Sequence, residues 1–291
     1  GLLLQETQVN VYQPSGLEVM NMDWSKTKSI FIGVFLILNV FLYSQYLNTY
    51  NEAQKLELLG TNTDIEARLK EENITYATLA ESIETAPYIS AKVKKYSLDE
   101  LPANSNQNYE LIGDDKLLVT FKAPIKLVST KQAAPLNDFL RKYVYEGQSF
   151  KLWEIDEEAR TATFFQHFND RVLYYNENGK VKIYWNENGE VFKYEQSMLE
   201  NIEEIKQNES ILPPLQVLQT LYAKNLLKPD SHITTVKLGY STLIPVTPQV
   251  LTPTWKVRVQ VADGEEEQYF VNAIDGKVID ITQDIQEVEE E

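Results

Sequence analysis

The chain of 291 residues has a formal net charge of −16 and 43% hydrophobic side chains, so it can bury a sizeable core under an acidic surface. A surface of that sign repels phosphate backbones and anionic headgroups, which argues against nucleic acid as a partner. With no cysteine, disulfides, thiol nucleophiles and thiolate metal sites are excluded, while the compartment is left open.

Residues 1–21 hold no basic residue and match neither a targeting peptide nor an anchor; they are read as an upstream extension, with Met22 as the natural start. Residues 22–28 then form a short cytoplasmic N-terminus, and residues 29–47 a transmembrane helix. The apolar run from Ile30 to Leu47 is 18 residues, roughly 27 Å of helix, close to the thickness of a bilayer's hydrocarbon core. A signal-peptide core is shorter and ends in small residues. Here the exit reads Ser44-Gln45-Tyr46-Leu47, so no cleavage is expected. Lys26 and Lys28 precede the run, and Glu52, Glu57, Asp64 and Glu66 outnumber Lys55 and Arg68 after it. The positive-inside rule therefore places the cell-membrane protein's N-terminus in the cytoplasm and everything beyond about Tyr50 outside. Trp24, Lys26 and Lys28 on one side, with Tyr43 and Tyr46 on the other, have the chemistry of membrane-interface anchors. Ser29, Gly33, Leu36 and Asn39 fall within about a third of the helix circumference, and small residues four apart let another helix approach closely. Two outcomes stand side by side: this stripe meets a partner helix, or Asn39 bonds locally and the small residues are incidental.

Beyond the span, Thr61 to Leu79 has the spacing of a short helix, and strands are predicted at Tyr88–Tyr96, Leu117–Phe121 and Ile125–Val128, with a polar loop over residues 102–108. Pro135 to Val144 repeats apolar side chains at helical spacing. Asn-Glu-Asn-Gly occurs at 176–179 and again at 186–189. Asn-Gly favours type I′ hairpins, so three consecutive antiparallel strands are predicted, over residues 161–175, 180–185 and 190–194. A helix pair at Met198–Gln207 and Leu215–Lys224 follows. Strands come next at residues 233–240, 254–261, 267–273 and 277–281, with an extended connection at residues 243–253 and hairpin turns at Asp263-Gly264 and Asp275-Gly276. Residues 286–291 are an acidic tail. The irregular mixture implies an α+β fold of antiparallel sheets with helices, in two extracytoplasmic subdomains, residues 48–160 and 161–285.

Chemistry is sparse. His167 and His232 are the only histidines, and each lies in a strand-like run. No phosphate-binding loop, metalloprotease motif, nucleophile elbow, dinucleotide fingerprint or calcium loop is present. Glu265, Glu266 and Glu267 read as a solvated hairpin tip. No catalytic residue, cofactor site or metal site is expected, and the protein is read as not an enzyme. A rival reading is a membrane-anchored cell-wall glycan-binding module using Tyr174, Tyr175, Tyr184 and Trp185 as an exposed platform.

The stretch Met22-Asp-Trp-Ser-Lys-Thr-Lys-Ser-Ile-Phe-Ile, directly before and into the span, resembles the start of the YycI (WalI) family of Gram-positive bacteria. The run Trp255-Lys-Val-Arg-Val, with Tyr269-Phe-Val-Asn-Ala-Ile-Asp-Gly-Lys-Val278, is similar to that family's closing hairpin and to PepSY-type endings. The resemblance extends over about residues 22–281. It implies a YycH-like outer domain and an accessory regulator of the WalK/WalR (YycG/YycF) two-component system, which governs cell-wall metabolism. It also implies partnership with the sensor histidine kinase WalK (YycG) and with YycH through transmembrane and extracytoplasmic contacts, and no catalytic residues. A homodimer is compatible with this reading.

Overall fold

The computed structural model describes residues 28, 31–46, 62–79 and 85–280, and the chain divides into two compact units, residues 1–54 and 55–291. In the first unit, residues 31–46 form a helix, α1, described over 16 residues. Among the described residues no helix is long and apolar enough to cross a membrane. Ser29, Ile30 and Leu47 at the ends of the predicted span lie outside the described residues, as do residues 1–21, Trp24, Lys26 and the acidic tail.

The second unit is α+β. Its elements are α2 (Asn62–Glu71), β1 (Thr75–Tyr76), β2 (Thr85–Val93), β3 (Gln107–Ile112), β4 (Lys116–Lys126), α3 (Ala133–Tyr143), β5 (Phe150–Asp156), β6 (Thr161–Phe168), β7 (Arg171–Tyr174), β8 (Lys180–Trp185), β9 (Glu190–Ser197), β10 (Leu199–Ser210), α4 (Pro214–Ala223), β11 (His232–Ile244), β12 (Gln249–Gln260), β13 (Glu266–Asn272) and β14 (Val278–Ile279). The strand order is β10-β2-β12-β11-β7-β6-β8-β9-β4-β3, with β5 beside β6, β13 beside β12, β14 beside β13 and β1 beside β11. Nearly all pairs are antiparallel. The parallel ones are β1 on β11 and the two-residue pairing of β7 on β11, Tyr240 to Leu173 and Ser241 to Tyr174.

Alternation along the strands decides the packing. Leu117 and Val119 of β4, Phe164 of β6, Val181 and Ile183 of β8 and Tyr194 of β9 turn one way and are closed over by Leu136, Phe139 and Leu140 of α3. A second core joins Trp255, Val257 and Val259 of β12 and Val271 of β13 to Ile65 and Leu69 of α2 and Val217, Leu218 and Leu221 of α4. Between them lies a smaller cluster of Ile89, Ala91, Leu173, Leu199, Tyr240 and Leu251.

Several predicted elements are corrected. Met198–Gln207 is not a helix but most of strand β10, so α4 stands without the predicted partner. Leu199, Ile202 and Ile205 are spaced by three, which imitates a helix. The register shift between Glu200 and Glu203 absorbs one extra residue, so Ile202 packs against the same cluster as Leu199, whereas Ile205, past the shift, is exposed. The single predicted strand 161–175 is two strands, turned at Asn169 (φ 47°) and Asp170 (φ 63°), the backbone of a two-residue type I′ hairpin made without glycine. The first Asn-Glu-Asn-Gly is then no hairpin: Glu177–Gly179 is a 3₁₀ turn leading into β8, which pairs with β6 and not with β7. At the second, Gly189 has φ +70° while Glu187 and Asn188 do not turn positive, and a register shift between Tyr184 and Trp185 follows, so this turn is a type I with a bulge. The extended connection at residues 243–253 is largely strand, since β11 runs to Ile244 and β12 starts at Gln249.

Candidate functional site

Helix α1 is apolar around its circumference. Phe31, Ile32, Phe35, Ile37, Val40 and Phe41 all expose more than half of their surface, up to 73% for Ile37, a pattern that water-soluble helices avoid. Of the predicted partner stripe, Gly33 has open space where a side chain would stand and Leu36 is exposed. Asn39 donates from Nδ2 to the Phe35 carbonyl at 2.9 Å, the local bond that relieves an amide in an apolar setting. Ser29 lies outside the described residues, so the stripe is described at three of its four positions. Lys28, Tyr43 and Tyr46 are exposed.

The aromatic platform of the glycan reading does not form. Tyr174 and Trp185 are buried, with Tyr174 packed on Trp153 at 5.7 Å and on Phe270 at 5.3 Å between ring centroids. Tyr184 is half covered, with the Lys193 ammonium 4.1 Å and that of Lys182 5.7 Å from its ring centre. Strands that alternate sides send Tyr184 and Trp185 to opposite faces, which adjacency in sequence concealed.

Many ionisable groups described in the second unit are engaged with one another. Glu195 of β9 accepts from Lys193 at 3.0 Å and faces Lys116 at 3.4 Å. Burial pushes its carboxyl up, but the two lysines outweigh burial and leave it below the usual carboxylate range. Glu267 accepts from Lys228 and from the Tyr269 hydroxyl, and Glu266 pairs with Arg258. The three-glutamate tip is therefore partly a structural ion-pair cluster. His167 Nε2 contacts the Gln148 carbonyl at 3.1 Å, and His232 Nδ1 meets the Thr75 hydroxyl at 2.7 Å, where it ties β1 to β11.

Sequence reasoning passed over Lys256. Its ammonium stands 4.2 Å from the Trp153 ring centre and 5.7 Å from that of Tyr174. Burial, reinforced by Arg258 and Lys237, pulls it down to about 8. No local motif marks it, since Trp153 lies on β5 and comes beside β12 only after folding.

Fold and surface together define a mixed α+β protein preceded in the chain by a helix of exposed apolar residues. A family model described as YycI protein matches residues 52–274, and the chain belongs to that family. YycI is a regulatory family, and membership points to involvement in the WalK (YycG) regulatory system. The matched residues begin after α1, so the resemblance read at residues 22–32 lies outside them. No curated protein matches the chain. Among solved structures, an uncharacterized protein from Eubacterium rectale ATCC 33656 is similar at a TM-score of 0.41 and 11% identity, over 71% of this chain and 90% of that one. The C-terminal domain of Bacillus megaterium YpeB is similar at 0.40 and 14%, over 65% and 87%.

Proposed function

We propose that this protein is a membrane-anchored, non-enzymatic regulator of the sensor histidine kinase WalK (YycG). In this reading it acts together with YycH through transmembrane and extracytoplasmic contacts to control cell-wall metabolism signalling. Residues 29–47 cross the cell membrane once, with the N-terminus cytoplasmic and the domain from residue 48 onward outside. Family membership carries the reading, and the exposed apolar surface of α1 supports the anchor.

A regulator of this kind needs different contacts with two states of the kinase, and needs no chemistry of its own. Gly33, Leu36 and Asn39, with Ser29, supply the intramembrane contact in this proposal; the local bond to Phe35 uses one N–H of the Asn39 amide and leaves its Oδ1 and second N–H for the partner helix. Trp24, Lys26, Lys28, Tyr43 and Tyr46 set the depth of the helix. Replacing residues 29–47 by an unrelated polyleucine span of equal length separates anchoring from recognition. The protein should stay in the membrane fraction and lose its effect on kinase output; unchanged output would mean that the helix is an anchor alone.

A further inference from the structure

Where β2, the β6–β7 turn, β7, β10 and β11 meet, a cavity of about 250 Å³ is lined by Thr85, Asn169, Arg171, Glu204, Asn208 and Tyr240, among others. It lies in the second unit.

Three features single it out. Tyr240 is buried to 1% exposure, in the smallest of the clusters named above, and it lines the cavity beside Arg171, whose Nη1 is 3.4 Å from its hydroxyl. The hydrogen bond described for that hydroxyl is a long one, 3.4 Å, in which Arg171 Nη1 is the donor. The hydroxyl's own proton is therefore left to give, and burial raises its pKa, which keeps that proton in place. Arg171 and Glu204 line the same small space. Among the described residues neither joins an ion pair, although 43 acidic and 27 basic residues make pairing common elsewhere in the molecule. Asn169 enters from the glycine-free I′ turn, at φ 47°, a conformation that asparagine tolerates and most side chains resist.

We propose that this cavity binds a small zwitterion of the α-amino-acid class, with its carboxylate on the Arg171 guanidinium and the Tyr240 hydroxyl and its ammonium on Glu204. A guanidinium beside a hydroxyl donor is suited to a carboxylate, and a carboxylate in the same cavity penalises a plain anion and rewards a ligand that brings a positive charge with it. The volume suits a free amino acid with a small side chain, whereas a folded protein segment would not fit. Asn169, Asn208 and Thr85 add neutral polar groups around the rim.

Isothermal titration of the purified full-length chain with alanine, acetate and ethylamine tests this. Alanine should bind, and acetate and ethylamine, each bearing one of the two charges, should bind at least roughly tenfold more weakly. Arg171→Gln and Tyr240→Phe should weaken alanine, the second without disturbing the buried ring. Glu204→Gln should weaken alanine and leave acetate unchanged or improved. No heat with alanine at millimolar concentration overturns the proposal, as does acetate binding equal to that of alanine, which would mark a plain anion site. Alanine binding that survives both Arg171→Gln and Tyr240→Phe would place the ligand elsewhere and also overturn it.

Discussion

Asn176 and Asn186 open the same tetrapeptide, and each does different work. Asn176 is buried and donates from Nδ2 to Thr242 Oγ1 at 2.9 Å and to Gln249 Oε1 at 2.8 Å, so it ties the entry to β8 to the far ends of β11 and β12. Asn186 uses its Oδ1 locally, accepting from the amides of Asn188 and Glu190 to shape a turn. Truncating the first strands a buried glutamine carbonyl and a threonine hydroxyl. Asn176→Ala should therefore cost about 1–3 kcal/mol in a urea melt. A cost near zero would mean that water replaces the amide. Lys256 supplies a second test at this scale. Its folded pKa of about 8 lies below the ordinary 10.5, so between those values the unfolded chain binds the extra proton. The lysine's contribution to stability therefore rises as pH climbs from about 8 towards 10.5, and below about pH 8 its burial penalty is in full force. Lys256→Met keeps a long stem against Trp153 and removes the charge. The difference in unfolding free energy between wild type and variant should shrink across that window. A difference flat with pH would show that the ring contacts offset burial.

At the level of elements, the two-residue pairing of β7 on β11, which links the halves of the strand order, depends on one small residue. A side chain at Gly239 would come within 2.4 Å of the Tyr174 ring and 2.5 Å of the Val172 carbonyl, which is backbone and cannot step aside. Gly239→Ala should push β7 off β11 and lower stability by at least about 1–3 kcal/mol, seen as a lower melting temperature. An unchanged melting temperature would mean that the joint yields freely. The elements legible in the sequence are those whose signal is local: α3 from its apolar spacing, α4 in the predicted helix Leu215–Lys224, and the closing hairpins from Asp-Gly turns whose glycines do take positive φ, 90° at Gly264 and 72° at Gly276. Strand β10 is not, because Leu199, Ile202 and Ile205 recur at a helical interval, and the bulge that lets Leu199 and Ile202 share a side leaves no mark in the sequence. The I′ turn at Asn169-Asp170 was hidden because glycine, the usual marker, is missing from it. Nor could the polar cavity be read in advance, since Thr85, Arg171, Glu204 and Tyr240 come from four distant segments and meet only through sheet order. An apolar run, by contrast, announces itself, because bilayer thickness sets a length that can be counted along the chain.

In the molecule as a whole, a helix of exposed apolar residues precedes an acidic α+β domain of a regulatory family, and in the proposed function that helix recognises a kinase within the membrane. Site-specific photocrosslinking at each position from 31 to 46 in living cells addresses that claim directly. Capture of a sensor histidine kinase should recur every three to four positions and peak at Gly33, Leu36 and Asn39, the signature of one helix face against another. Uniform capture around the helix, or none at any position, would contradict it.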